Sequence, residues 1–217
     1  MAPVAEELEV NEEAQAATKA AVFATAERLF ALNGFQKVSV RDITAAAGVN
    51  LASVNYHFGS KDELLLEIFS RRTRELNRER ARMLHTAQGQ PGGATARDVL
   101  EALFAPPVRW SAPEHPRSIS VQFIIRSRSE GGPAIRDILQ NDVSHLERFA
   151  DALVALRHDL SREEVYWRLH FSLGMLHNNR FAEFDRLRQL SGGLTHDEDA
   201  ETLLARMLDF AEAGFLA

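Results

Sequence analysis

Apolar positions along this chain recur every three to four residues and nowhere alternate in the manner of strands, which predicts helices throughout. Residues 18–33 carry Val22, Ala26, Leu29 and Phe30 at helical spacing and stop at Gly34. Two short helices follow, over 40–47 and 51–58. A Ser60/Glu63 capping box then opens a long helix through Leu64, Ile68, Phe69, Leu76 and Met83. Pro91 and its glycine neighbours break the pattern over 87–94, and a helix spans 95–104. Four prolines over 105–116 predict an irregular segment. Further helices are expected over 117–129, 133–158, 162–190 and from His196 or Asp197 to Phe215. The acidic stretch 1–15 reads as a loose arm or a frayed extension of the first helix. The expected fold class is all-α, with about nine helices.

The densest local signal lies at 40–64, VRDITAAAGVNLASVNYHFGSKDEL. Ser39 and Asp42 form a capping-box pattern ahead of the first short helix. Ile43, Ala46 and Ala47 give that helix its inner face, and Gly48 ends it where a left-handed residue is wanted. Val49 re-enters the core, and Asn50 can cap the next helix through its side-chain oxygen. Val54 and Phe58, one turn apart, point inward. Asn50, Ala52, Ser53, Asn55, Tyr56 and His57 are thereby left outside. A short helix behind a tight turn, with a polar and hydrogen-bonding outer edge, suits the major groove of DNA.

AAAGVNLASVNYHFGSKDELL resembles the DNA-binding signature of the TetR family of bacterial repressors. Tyr56, His57, Phe58, Ser60, Lys61 and Leu64 match that signature residue for residue. Leu51 stands where the family often has Lys, and Asn55 where it often has Tyr; both positions are candidates for DNA contact. The likeness covers roughly residues 18–83. It implies base readout by Asn50, Ser53 and Asn55, with Arg41 and Ala52 close by. It implies backbone contacts from Tyr56, His57 and Lys61, since phosphate contacts outnumber base contacts. Ser39 serves as a cap alone or also touches phosphate, and His57 is open to a packing role. The implied architecture is an acidic arm over 1–17 and a three-helix DNA-binding head with a helix-turn-helix over 18–60. A long helix joins the head to a larger ligand-binding and dimerisation domain over 61–217.

Charge refines the picture. The chain carries a formal net charge of −6. Residues 1–13 hold five acids and no bases, whereas 18–85 hold eleven bases and seven acids. The candidate DNA-binding part is the basic part, as attraction to phosphate requires. The run Arg71, Arg72, Arg74, Arg78, Arg80 and Arg82, interleaved with Glu75 and Glu79, reads as a solvated helix face. There is no cysteine, which excludes disulfides and thiol redox sensing. No signal peptide or membrane-spanning run is evident, so a cytoplasmic protein is expected. His170 and His177 lack metal-site spacing, and Ser53 with His57 has neither a third residue nor a glycine elbow. Neither an enzyme nor a cofactor or metal site is expected.

Family resemblance implies that helices 162–190 and 197–215 pair with their copies in a homodimer. It also implies an effector pocket in the second domain. Candidate lining residues are Phe104, Trp110, Phe123, Ile124, Trp167, Phe171 and Met175, with Arg126, Arg128, Asn178 and Asn179 as a polar end. VNLASVNYHFGSK is similar to members that sense fatty acyl compounds, so a hydrophobic or long-chain acid effector is expected. The expected function is a repressor that binds a palindromic operator as a dimer and is released by a small ligand. The alternative is a helical protein-interaction adaptor that binds no DNA.

Overall fold

The computed structural model describes residues 3–178, 184–196 and 199–216. It is helical throughout these residues. The elements are α1 (Pro3–Asn33), α2 (Val40–Ala47), α3 (Ala52–Phe58), α4 (Lys61–Gln88), α5 (Ala96–Trp110), α6 (Ser118–Glu130), α7 (Pro133–Asn141), α8 (Ser144–Leu156), α9 (Arg162–Asn178), α10 (Phe184–Leu190) and α11 (Ala200–Leu216). Among the described residues, no helix is long and apolar enough to cross a membrane.

The chain forms two compact units. One comprises Met1–Thr73 with Ile119–Gln140, the other Arg74–Ser118 with Asn141–Ala217. The unit carrying the helix-turn-helix is thus larger than residues 18–60. It takes the first half of α4 and both α6 and α7. The cause is burial: Phe123 of α6 and Ile135 of α7 belong to the same core as Val22, Phe30, Phe35, Ile43, Val54 and Ile68. The Phe35 and Phe123 rings lie 5.1 Å apart, and Phe30 meets Phe35 edge-on at 5.6 Å. Glu27, 4 % exposed, takes two 2.6 Å bonds from Arg72 and ties α1 to α4.

The end of α1 is held by α6. Arg126 Nε donates to the Ala31 carbonyl, Phe35 N–H donates to Glu130 Oε2 at 2.6 Å, and Arg126 also pairs with Glu130. Gly34 sits beneath this clasp at φ 94°, and a Cβ there would lie 3.1 Å from both the Arg126 and Glu130 side chains. Glycine is required by backbone sign and by space together.

The second unit has its own core, built on Val99, Leu103, Phe104, Phe149, Leu153, Val165, Leu169, Leu204, Leu208 and Phe215. Here several expected boundaries shift. The irregular segment over 105–116 is in fact helical to Trp110, with Pro106 and Pro107 inside α5. A proline at 107 deprives the Leu103 carbonyl of its helical N–H. Arg80 Nε supplies the missing donor at 2.9 Å, which lets α5 continue. The single helix expected over 133–158 is broken at Asp142 and Val143. Asp142 Oδ1 accepts from the Ser144 hydroxyl at 2.6 Å, local bonding that competes with the helix ladder. The helix expected over 162–190 is described as α9 and α10, with 179–183 outside the described residues. The last helix starts at Ala200 behind Asp199, whose Oδ1 takes the Thr202 N–H at 2.8 Å; Asp197 lies outside the described residues. The acidic N-terminal stretch belongs to α1 from Pro3 onward, the second of its two expected forms.

Candidate nucleic-acid interface

The helix-turn-helix is fixed by its caps. Ser39 is extended, its Oγ accepts from Asp42 N–H at 3.2 Å, and Asp42 Oδ2 accepts from the Ser39 hydroxyl and amide at 2.7 and 2.8 Å. These bonds, the hydroxyl's foremost, hold the Asp42 carboxyl below the usual aspartate range. Arg41 next to it is exposed. The inner face of α2 is Ile43 and Thr44, whereas Ala46, expected inside, is exposed. Thr44 can be buried because its hydroxyl donates to the Val40 and Arg41 carbonyls at 3.1 and 3.2 Å. Gly48 is left-handed at φ 68°, and its N–H with that of Val49 closes the helix end. Nothing lies within 4 Å of a Cβ built there, so backbone sign alone selects glycine at this turn.

Asn50 Oδ1 accepts the Ala52 N–H at 3.0 Å, a turn bond just ahead of α3; the N-cap position expected of Asn50 falls to Leu51. In α3, Val54 and Phe58 are buried. Leu51, Ala52, Asn55 and Tyr56 are exposed, Tyr56 at 71 %, while Ser53 and His57 are half-buried at the margin. The Tyr56 and His57 rings meet edge-on at 4.9 Å, which limits the rotamers of both. Lys61, half-buried, places its ammonium 5.8 Å above the Phe30 ring. The outcome is a short rigid helix whose free edge carries the amides of Asn50 and Asn55 and the phenol of Tyr56. Side-chain amides can pair with adenine in the major groove, and phenols and hydroxyls suit phosphate. The sequence did not reveal the Glu27–Arg72 pair or the Arg126–Glu130 clasp that brace this head. Arg72 reaches Glu27 from α4, and Arg126 and Glu130, themselves one turn apart on α6, reach Ala31 and Phe35 at the end of α1; helical periodicity carries no sign of such contacts between distant segments.

The expected effector-pocket residues do not converge. Phe123 is buried in the core of the helix-turn-helix unit; Ile124 and Arg126 belong to the same unit, Arg126 engaged with the end of α1. Phe104 and Trp110 are buried in the second unit. Trp110 donates from Nε1 to Glu79 at 3.2 Å and lies under the Arg117 guanidinium at 4.5 Å. Trp167 and Phe171, 52 % and 66 % exposed, stack on one another on the outer face of α9. Met175 packs against the second core. Arg128 is exposed in α6. Asn178 closes α9 with its side chain outside the described residues, as is Asn179 altogether. A separate open cleft of about 520 Å³ lies between α4 and α5, lined by Glu79, Arg82, Met83, Asp98 and Glu101 among others. No cluster of metal-ligating side chains occurs among the described residues.

Comparison with known proteins agrees with this architecture. Residues 22–68 match the family model described as bacterial regulatory proteins, tetR family, and residues 101–214 match that described as tetracyclin repressor-like, C-terminal domain. The fold is similar to a putative transcriptional regulator from Saccharomonospora viridis solved in complex with choline, at 22% identity and TM-score 0.60, covering 89% of this chain and 95% of that one. It is also similar to a putative tetR family transcription regulator from Shewanella sp. PV-4, at 18% identity and TM-score 0.56, covering 91% and 95%. A third neighbour is NalD, the secondary repressor of the MexAB-OprM multidrug efflux pump in Pseudomonas aeruginosa, at 21% identity and TM-score 0.53, covering 93% and 96%. No curated protein matches the sequence. With both of its parts matched, the chain belongs to the tetR family of bacterial regulatory proteins, and α2 and α3 are the helix-turn-helix of a DNA-binding regulator.

Proposed function

We propose that the protein is a cytoplasmic repressor that binds a palindromic operator as a homodimer and leaves it when a small hydrophobic effector, fatty acyl compounds included, binds the second unit. The observation that carries the reading is the free edge of α3: Asn50, Asn55 and Tyr56 face solvent while Val54 and Phe58 anchor the helix from behind. In this reading Asn50, Ser53 and Asn55 contact bases, with Arg41, Leu51 and Ala52 alongside. Ser39, Tyr56, His57 and Lys61 hold the backbone.

Two copies are needed because one short helix reads only a few base pairs. The support for dimerisation is the outer apolar face of α9 and α11, where Trp167, Phe171 and Phe210 are 52 %, 66 % and 75 % exposed. Apolar groups of this size left in water on two packed helices are the raw material of an isologous interface. The fold neighbour that holds choline supports a small-molecule effector in general terms. Ligand coupling to operator affinity in such a linkage is typically about 1–3 kcal/mol.

Selection of bound sequences from a pool of randomised duplexes tests the reading. The expected product is an inverted repeat whose half-sites lie about one helical turn apart, ~34 Å. A pool that shows no enrichment, or enriches a single unrepeated site, contradicts it and favours the protein-interaction adaptor.

A further inference from the structure

Leu51 stands at the head of α3 with 44 % of its surface open, inside a polar edge. Asn50, Ala52, Asn55 and Tyr56 around it are exposed as well. Its backbone is already helical at φ −55° and ψ −35°, so Asn55 lies one turn further along the same side. Val54 and Phe58 face the core instead. A lone exposed leucine elsewhere on a surface needs no explanation. This one differs in two respects. It occupies the N-cap position, where a side-chain oxygen would take a free amide, and it makes no such bond. It also shares its edge with the amide of Asn55 and the phenol of Tyr56, which suit DNA.

Chemistry narrows what Leu51 can meet in a groove. With neither donor nor acceptor, it can hold no phosphate and pair with no polar base edge. Guanine, adenine and cytosine are recognised in the major groove through donors and acceptors, whereas thymine adds an apolar C5-methyl. Against the first three, Leu51 would strip water from polar atoms and return no hydrogen bond. Against thymine it covers a methyl. One side chain thereby favours one base and penalises the others. Four residues of helix rise about 6 Å, and base pairs follow one another at about 3.4 Å. The thymine that Leu51 meets therefore lies within about two base pairs of the pair that Asn55 contacts.

We propose that Leu51 is a specificity-determining residue that reads the C5-methyl of a thymine in each operator half-site. This rests on the reading above, in which the outer edge of α3 enters the major groove, and adds to it the identity of one base.

The test removes that methyl and nothing else. The duplex selected from the randomised pool is remade with deoxyuridine in place of thymidine, one position at a time within one half-site. Uracil keeps the base pair and every phosphate. Binding of wild type, Leu51→Met and Leu51→Ala is followed by fluorescence anisotropy. At one position uracil is expected to weaken the wild type about four-fold, the worth of one buried methyl. Leu51→Met keeps the apolar reach and should keep that ratio. Leu51→Ala should bind the thymine and uracil duplexes equally. A merely structural role for Leu51 would weaken both duplexes alike and leave the ratio in place, and that result would overturn the proposal. So would a wild type indifferent to every uracil, or selected half-sites without thymine; both are measured on wild type alone, whatever the variants do. A protein that enriches no duplex removes the reading of α3 and this role of Leu51 together. Sequence-specific binding without dependence on a thymine methyl removes only the role of Leu51.

Discussion

At the scale of single residues, burial and charge decide what each polar group does. Glu130 is a clear case. Burial works against its carboxylate, but the Phe35 amide and the Arg126 guanidinium outweigh that and hold its pKa below the ordinary 4.5. A carboxyl with a lowered folded pKa adds stability that is complete above its ordinary value and is lost as the pH falls through the folded one. Glu130→Gln is therefore expected to be less stable than wild type at neutral pH, with the gap closing below about pH 4.5. Urea denaturation across that range checks it; a gap that persists in acid would show that the clasp does not act through its charge. The same residues mark what sequence reading can reach. Val54 and Phe58 were legible as inward-facing because helical spacing fixes direction. Arg126 was not, because it is polar on a largely apolar helix and only its packing against α1 distinguishes an Ala31 cap from a ligand contact.

At the scale of elements, local chemistry set most boundaries. Gly48 and the Ser39/Asp42 box were readable, and α2 and α3 lie where they predict. Ser39→Ala removes the acceptor for the Asp42 amide and is expected to cost about 1 kcal/mol of stability, checked by chemical denaturation; no loss would mean that water replaces the cap. The failures have physical causes as well. Two prolines in α5 gave a local signal for irregular chain, and Arg80, distant in sequence, overrode it. Trp167 and Phe171, expected as pocket lining, lie on the outer face of α9, because aromatic spacing alone does not fix which way a helix face turns. If Trp167 and Phe171 meet a second copy, Phe171→Glu is expected to convert the dimer to monomer by light scattering. A protein whose mass in solution is unchanged by that substitution would place the interface elsewhere.

At the scale of the whole molecule, an acidic chain is asked to bind a polyanion. Residues 18–85 are the stretch where bases outnumber acids, eleven to seven, within an overall charge of −6, which favours approach of that part to phosphate. Binding should then fall steeply with salt, since each neutralised phosphate releases counterions. Function at this scale was legible in the twenty or so residues around α3, whose chemistry is local. An effector site leaves no such local trace, since a pocket between helices draws its lining from residues far apart in sequence. The most direct measurement is fluorescence anisotropy of the selected duplex titrated with wild type and with Asn55→Ala at several salt concentrations. The account expects tight, strongly salt-dependent binding by the wild type. It also expects an Asn55→Ala variant weakened by roughly 1–3 kcal/mol with the salt slope retained. Equal affinity for both proteins, or binding indifferent to salt, would contradict the claim that the outer edge of α3 reads DNA.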